Sequence, residues 1–74
     1  MDKMIYATVR QISASWYRIV VREGQDHEAA VKQAMRQVQF YLYDLGLGNE
    51  DAKMYLSAAH EAVTQMLDLD NIQN

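Results

Sequence analysis

Two histidines and the polar residues beside them are the first candidates for chemistry in this chain. His27 lies between Asp26 and Glu28, but neighbouring positions of a helix point in different directions and do not converge on one ion. A zinc site needs three or four converging ligands. Ser57 and His60 share a helix face, as many surface pairs do, and no nucleophile elbow surrounds the serine. We therefore predict no catalytic residue, no metal ligand and no cofactor.

Arginine and aromatic side chains offer a different chemistry, which is the recognition of another macromolecule. Tryptophan, tyrosine and arginine are the residues that most often dominate protein interfaces. The predicted partner-binding set is Trp16, Tyr17, Arg18, Arg22, Phe40 and Tyr43. Arginines interleaved with aromatics also suit single-stranded nucleic acid, through phosphate contacts and base stacking. The alternative nucleic-acid set is Lys3, Arg10, Trp16, Arg18 and Arg22.

Length and composition restrict the class of protein that carries these residues. A chain of 74 residues predicts a single domain over residues 1–74. Half of the residues are hydrophobic, which is enough for a core, and no cysteine is present to form a disulfide or a thiolate zinc site. No signal peptide or long apolar run is recognisable, so we expect a cytoplasmic protein without a membrane partner.

The net charge of −3 is distributed unevenly along the chain. Residues 1–36 carry six Lys/Arg against four acids, and residues 37–74 carry one lysine against six acids. The two parts could therefore face different partners, or each other in a head-to-tail contact between two copies. An acidic total argues against nucleic acid as the main partner. We expect another protein as the partner, with a homo-oligomer as a further option.

Two helices are predicted in the later part of the chain. Asp26 suits an N-cap, apolar residues then recur every three or four positions, and Gly46 suits the left-handed residue that ends a helix. This pattern predicts a helix over residues 26–45. A similar pattern predicts a helix over residues 50–67, and the short connection makes the two an antiparallel pair. The pattern is lost over residues 68–74, where we predict a frayed tail.

The first segment, residues 4–22, allows two interpretations. As a helix, it has apolar residues at the heptad steps of 4, 3, 4 and 3 that form a packed seam: Ile5, Val9, Ile12, Trp16 and Ile19. As two strands, it has the β-branched and aromatic residues that strands favour, with a turn near residues 13–15. Local propensity favours the strands. The predicted fold is therefore α+β, a β-hairpin followed by two helices (ββαα), and the alternative is an all-α three-helix bundle.

Fold and surface residues together predict the function. We expect a small non-enzymatic protein-binding module that acts as a regulator or inhibitor by occluding a partner surface. Short, acidic, cysteine-free chains include accessory proteins of phages and mobile elements, which is an expectation from size class alone. The alternative is a nucleic-acid-binding regulator that uses the arginine and aromatic face of the hairpin.

Overall fold

The computed structural model is a bundle of three helices: α1 (Lys3–Arg22), α2 (His27–Asp44) and α3 (Asn49–Gln73). Each helix packs against the other two, and the short connections make successive helices antiparallel. The structure describes the backbone of residues 1–73 and the side chains of residues 1–66. α3 includes the predicted range 50–67 and continues to Gln73, so its helical backbone extends through residues 68–73 of the predicted frayed tail. The side chains of that tail lie outside the described residues, and its fraying stays a prediction.

The predicted β-hairpin over residues 4–22 is wrong. That segment is one continuous helix, and no strand occurs in the backbone that the structure describes. The fold is therefore the all-α three-helix bundle and not the α+β (ββαα) arrangement. Asp2 begins α1, because its carboxylate accepts hydrogen bonds from the N–H groups of Met4 and Ile5. The segment forms a helix because α1 buries one face against both other helices. The free energy of this packing outweighs the local preference of β-branched residues for strands.

Ser13 shows how the predicted turn becomes the middle of a helix. Its side chain is fully buried, and its hydroxyl donates to the carbonyl oxygens of Arg10 and Ala59, both at 3.0 Å. A small side chain at this position lets α1 approach α3, which presents the buried residues Ala58, Ala59 and Ala62. The serine is thus a small core residue with a satisfied hydroxyl, which its preference for turns does not reveal.

α2 lies within the predicted range 26–45, and its two ends have the predicted chemistry. The carboxylate of Asp26 accepts a hydrogen bond from the N–H of Ala29 at 2.9 Å. Gly46 has a φ of 72°, a left-handed conformation that glycine adopts without strain. The next residue, Leu47, packs against the core, and this apolar contact fixes the direction of the chain toward α3.

The core consists of two clusters of buried side chains, one toward each end of the bundle. The first cluster is Val9, Val38, Leu42, Tyr55 and Ala59. The second cluster is Tyr17, Val20, Ala30, Ala34 and Val63. The buried positions of α1 differ from the predicted seam, since they are Val9, Ser13, Tyr17 and Val20. Over the residues that the structure describes, none of the helices combines the length and apolar character that crossing a membrane requires.

Candidate functional site

Four of the five residues in the heptad seam of α1 lie at the edge of the core and are only partly covered, whereas Val9 is fully buried. Ile5, Ile12 and Trp16 are half-buried, and Ile19 leaves 43% of its surface exposed. Trp16 borders α2, because it lines one groove together with α2 side chains. The seam residues three or four positions from Trp16 lie on the same side of α1 as Trp16. α1 therefore presents a partly uncovered apolar edge beside α2.

The α1–α2 groove, as we call it, is a cavity of about 370 Å³ at this edge. Its apolar lining residues are Trp16, Val20 and Ala29, and its polar ones are Glu23, Gln25, Lys32, Gln33 and Arg36. The apolar residues are buried or half-buried, whereas the charged residues are exposed and form the rim. The floor is thus apolar but the margin is wide and polar, which differs from the mostly apolar lining of small-molecule sites and suits a partner that brings both apolar and charged groups.

Phe40 continues the same side of α2 beyond the groove, whereas Tyr43 borders a separate cavity toward α3. Phe40 follows Arg36 by four residues, which places it one turn further along the same face, and it is 58% exposed. Tyr43 comes three residues later and is 84% exposed. The structure therefore places two large aromatic side chains in solvent, Phe40 one turn beyond the cationic rim of the groove and Tyr43 nearer to α3.

Lys32 and Arg36 make the rim of the groove locally positive. They are one turn apart on α2, and both are exposed. Neither forms an ion pair among the residues whose side chains are described, where the ion pair present is Lys53–Glu50 at 3.9 Å. Glu23 supplies the opposing carboxylate from the α1–α2 connection. Two cations thus stand against one anion around an apolar floor.

Tyr17, which the sequence placed in the partner-binding set, lies inside the core. Its hydroxyl lies 2.9 Å from His27 Nδ1 at the beginning of α2, and the two rings meet edge to face with centroids 5.5 Å apart. A buried side chain offers no contact to a partner. Its role is structural, because it joins α1 to α2 through packing and a hydrogen bond.

Arg18 and Arg22 lie on a different side of α1 from Trp16. Two residues along a helix are separated by about 160° around its axis, so Trp16 and Arg18 share a face only in a strand. Arg18 and Arg22 are one turn apart and border a cavity of about 230 Å³ between α1 and α3. The predicted set is therefore divided, with Trp16 and Phe40 toward the α1–α2 side, Tyr43 toward the α2–α3 side, and the two arginines between α1 and α3.

The basic residues predicted for nucleic acid do share one side of α1. They are Lys3, Arg10, Arg18 and Arg22. These four positions fall within about a third of the helix circumference, and α1 contains no acidic residue. Arg10 is held in place, since its guanidinium donates to the Ala58 carbonyl at 3.2 Å and to Gln65 Oε1 at 2.9 Å. Trp16 lies outside this side, so the predicted face forms without the tryptophan; the aromatic ring that adjoins it is Tyr6, whose centroid lies 5.5 Å from the Arg10 guanidinium carbon.

The two histidines lie beside a shallow groove of about 600 Å³ between α2 and α3. His27 is engaged with Tyr17 through Nδ1, and His60 is exposed. Across the part of the chain that the structure describes, no three side chains of metal-binding type gather at one point. The described residues therefore do not indicate a metal site in this groove, and we place the candidate functional site on the α1–α2 side.

The groove residues Ala29, Gln33 and Arg36 were not predicted as part of a site. A signal for them exists in the sequence. The positions 29, 33, 36, 40 and 43 recur at steps of 4, 3, 4 and 3, which is a second heptad stripe on the side of α2 away from its buried stripe. The stripe is hard to recognise because a glutamine and an arginine interrupt its apolar residues.

No protein-family model, curated protein or solved structure matches this chain. The function is therefore argued from the chain's own geometry, which combines an uncovered apolar edge on α1, a cationic groove and two exposed aromatic side chains on α2.

Proposed function

We propose that this chain is a small non-enzymatic protein-binding module that regulates or inhibits another protein by covering part of its surface. The observation that carries the proposal is the exposure of two aromatic side chains of α2, Phe40 (58%) beyond the α1–α2 groove and Tyr43 (84%) about one turn further along the helix. Aromatic residues next to arginine are typical of the few positions that dominate binding energy at protein interfaces. We expect the module to act in the cytoplasm, since a chain without cysteine needs no oxidising compartment.

Trp16 supports the same surface from the side of α1. Its ring packs against the second core cluster and also lines the groove. Such a side chain keeps its conformation before a partner arrives. A preorganised contact loses less side-chain entropy on binding, so more of the interaction energy appears as affinity. We therefore expect Trp16 to be a rigid contact residue of the interface. Phe40 and Tyr43 are expected to contact the partner further out along α2.

A photo-crosslinking experiment tests the proposal. A benzoyl-phenylalanine at position 43 should crosslink to a partner protein in extracts of the source cells, because that position is open to solvent. Untagged wild-type chain should compete for this product. The double variant Phe40→Ala/Tyr43→Ala should compete at least about 30-fold less well, since truncating an aromatic hot spot costs about 2 kcal/mol or more.

The control for this experiment carries the same crosslinker at Ser57, an exposed position on α3. We expect no competed product from that site. The double variant should keep its helical circular dichroism, because both side chains lie outside the core clusters. A correctly folded double variant that competes as well as the wild type would refute the assignment of this surface.

Nucleic acid is the second candidate, and one observation favours it. The basic side of α1 carries four cations on a helix without any carboxylate. If this side binds nucleic acid, labelled single-stranded RNA or DNA should bind with an affinity that falls steeply as salt rises. Arg18→Glu should then abolish binding in a fluorescence-anisotropy titration and flatten the salt dependence. Failure to bind at low salt would exclude this candidate, because even non-specific phosphate contacts are detectable there.

A further inference from the structure

The α1–α2 side of the bundle has the form of a docking site for one more helix. α1 contributes a partly exposed apolar edge with Trp16 and Ile19. α2 contributes the heptad stripe that ends at Phe40 and Tyr43. Two antiparallel helices with heptad-spaced edges and a groove between them form half of a four-helix bundle. A helix laid along the groove would cover both edges at once, as in other helix-in-groove complexes.

The charged residues on the rim of the groove indicate which charges a docking helix should carry. Lys32 and Arg36 stand on its rim without an ionic partner among the side chains that the structure describes. A complementary helix carries carboxylates along the margin that faces α2 and apolar residues toward Trp16. An acidic helix gains attraction from both cations, whereas a basic helix would meet like charges at the same positions. Glu23 lies at the connection end, where the helix should be neutral or basic.

A second copy of this chain does not supply such a helix readily. α3 is its acidic helix, with Glu50, Asp51 and Glu61 among the described residues. The apolar side of α3 is used inside the bundle, where Tyr55 and Val63 are buried. Offering that side to a neighbouring copy would require α3 to leave its own core. The occupant is therefore expected from a different protein.

We propose that the α1–α2 groove binds an acidic amphipathic α-helix of another protein, which docks as the fourth helix of the bundle. This inference rests on the proposed protein-binding function and names the element that the partner presents. The partner helix lies along both α1 and α2, places its apolar residues between Trp16 and Phe40, and directs its carboxylates toward Lys32 and Arg36.

Synthetic peptides test the groove directly, whichever protein supplies the natural helix. One peptide of about 20 residues, roughly 30 Å of helix, carries leucine at heptad spacing with flanking glutamates. A matched peptide replaces every glutamate by lysine, and a third replaces the leucines by serine. Trp16 is the only tryptophan of the chain, so peptides without tryptophan leave its fluorescence as a reporter within the groove. NMR shift changes of labelled protein then map the contact.

The acidic peptide should change Trp16 emission with saturation and shift the resonances of Gln33 and Phe40. The lysine peptide should bind at least about tenfold more weakly, and the serine peptide should not bind. The variant Lys32→Glu/Arg36→Glu should reverse the preference between the acidic and lysine peptides. We expect this variant to keep its fold because both side chains are exposed, and circular dichroism tests this independently.

Three outcomes would overturn the inference. Equal binding of the acidic and lysine peptides would refute the acidic partner. If no peptide binds while crosslinking from position 43 still captures a partner that depends on Phe40, protein binding stands and the helix in the groove is refuted. If the chain associates with itself in sedimentation experiments and the same resonances shift with protein concentration alone, the occupant is a second copy. Loss of the competed crosslink would instead refute the proposed function itself.

Discussion

Replacing Leu42 by alanine is expected to lower the free energy of unfolding by about 2–5 kcal/mol, the usual cost of removing a large side chain from a packed core. Leu42 is 2% exposed and packs with Val38 and Tyr55 in the first core cluster. A domain of this length has a total stability of roughly 4–11 kcal/mol, at about 0.05–0.15 kcal/mol per residue. The substitution should therefore remove a large share of the stability, and urea unfolding followed by circular dichroism measures it.

Leu45 provides a matched control on the same helix end. The side chain is identical, but 45% of its surface is exposed. Leu45→Ala leaves no enclosed cavity, so we expect a loss below about 1 kcal/mol. Equal losses for the two variants would contradict the position of Leu42 in the core. A larger loss for Leu45→Ala would indicate that the exposed end of α2 is covered by another chain under the conditions of the measurement.

The later helices were predictable because local chemistry and long-range packing agree there. Asp26 caps α2 and Gly46 ends it, and both signals are visible in the sequence. In α1 the two kinds of signal disagree. Propensity favours strands, and helical spacing favours a seam, but neither indicates that a buried serine permits the close approach of α1 and α3. That fact depends on which residues of α3 face Ser13, so it becomes visible only when the helices are paired.

The candidate site was predictable only in part for the same reason. Phe40 and Tyr43 lie off the buried stripe of α2, which predicted an additional contact surface, and the structure places both in solvent. Arg18 was grouped with Trp16 by the alternation of a strand, and Tyr17 was included because aromatic residues are frequent at interfaces. A helix separates those positions, sending Tyr17 into the core and Arg18 to another side. The groove itself is formed by two helices, so neither helix alone predicts it.

Replacing Ser13 by proline should distinguish the helix from the hairpin most sharply. In α1, proline at this position removes a backbone hydrogen bond and clashes with the preceding turn, which costs about 3 kcal/mol or more. The variant also loses the hydroxyl bond to the Ala59 carbonyl. We expect most of the cooperative unfolding transition to be lost or shifted to low urea. In a hairpin turn at the same residues, proline would be tolerated or favourable.

Lys3→Pro is the matched control, because it places the same residue in the same helix at a position that accepts it. Lys3 is the first residue of α1, where the backbone N–H has no partner within the helix. The preceding residue, Asp2, has φ −75° and ψ 124°, the extended conformation that a residue before proline prefers. We expect its stability to change by less than about 1 kcal/mol. A stable Ser13→Pro protein beside an unaffected Lys3→Pro protein would contradict a continuous α1, and with it the groove that the helix forms with α2.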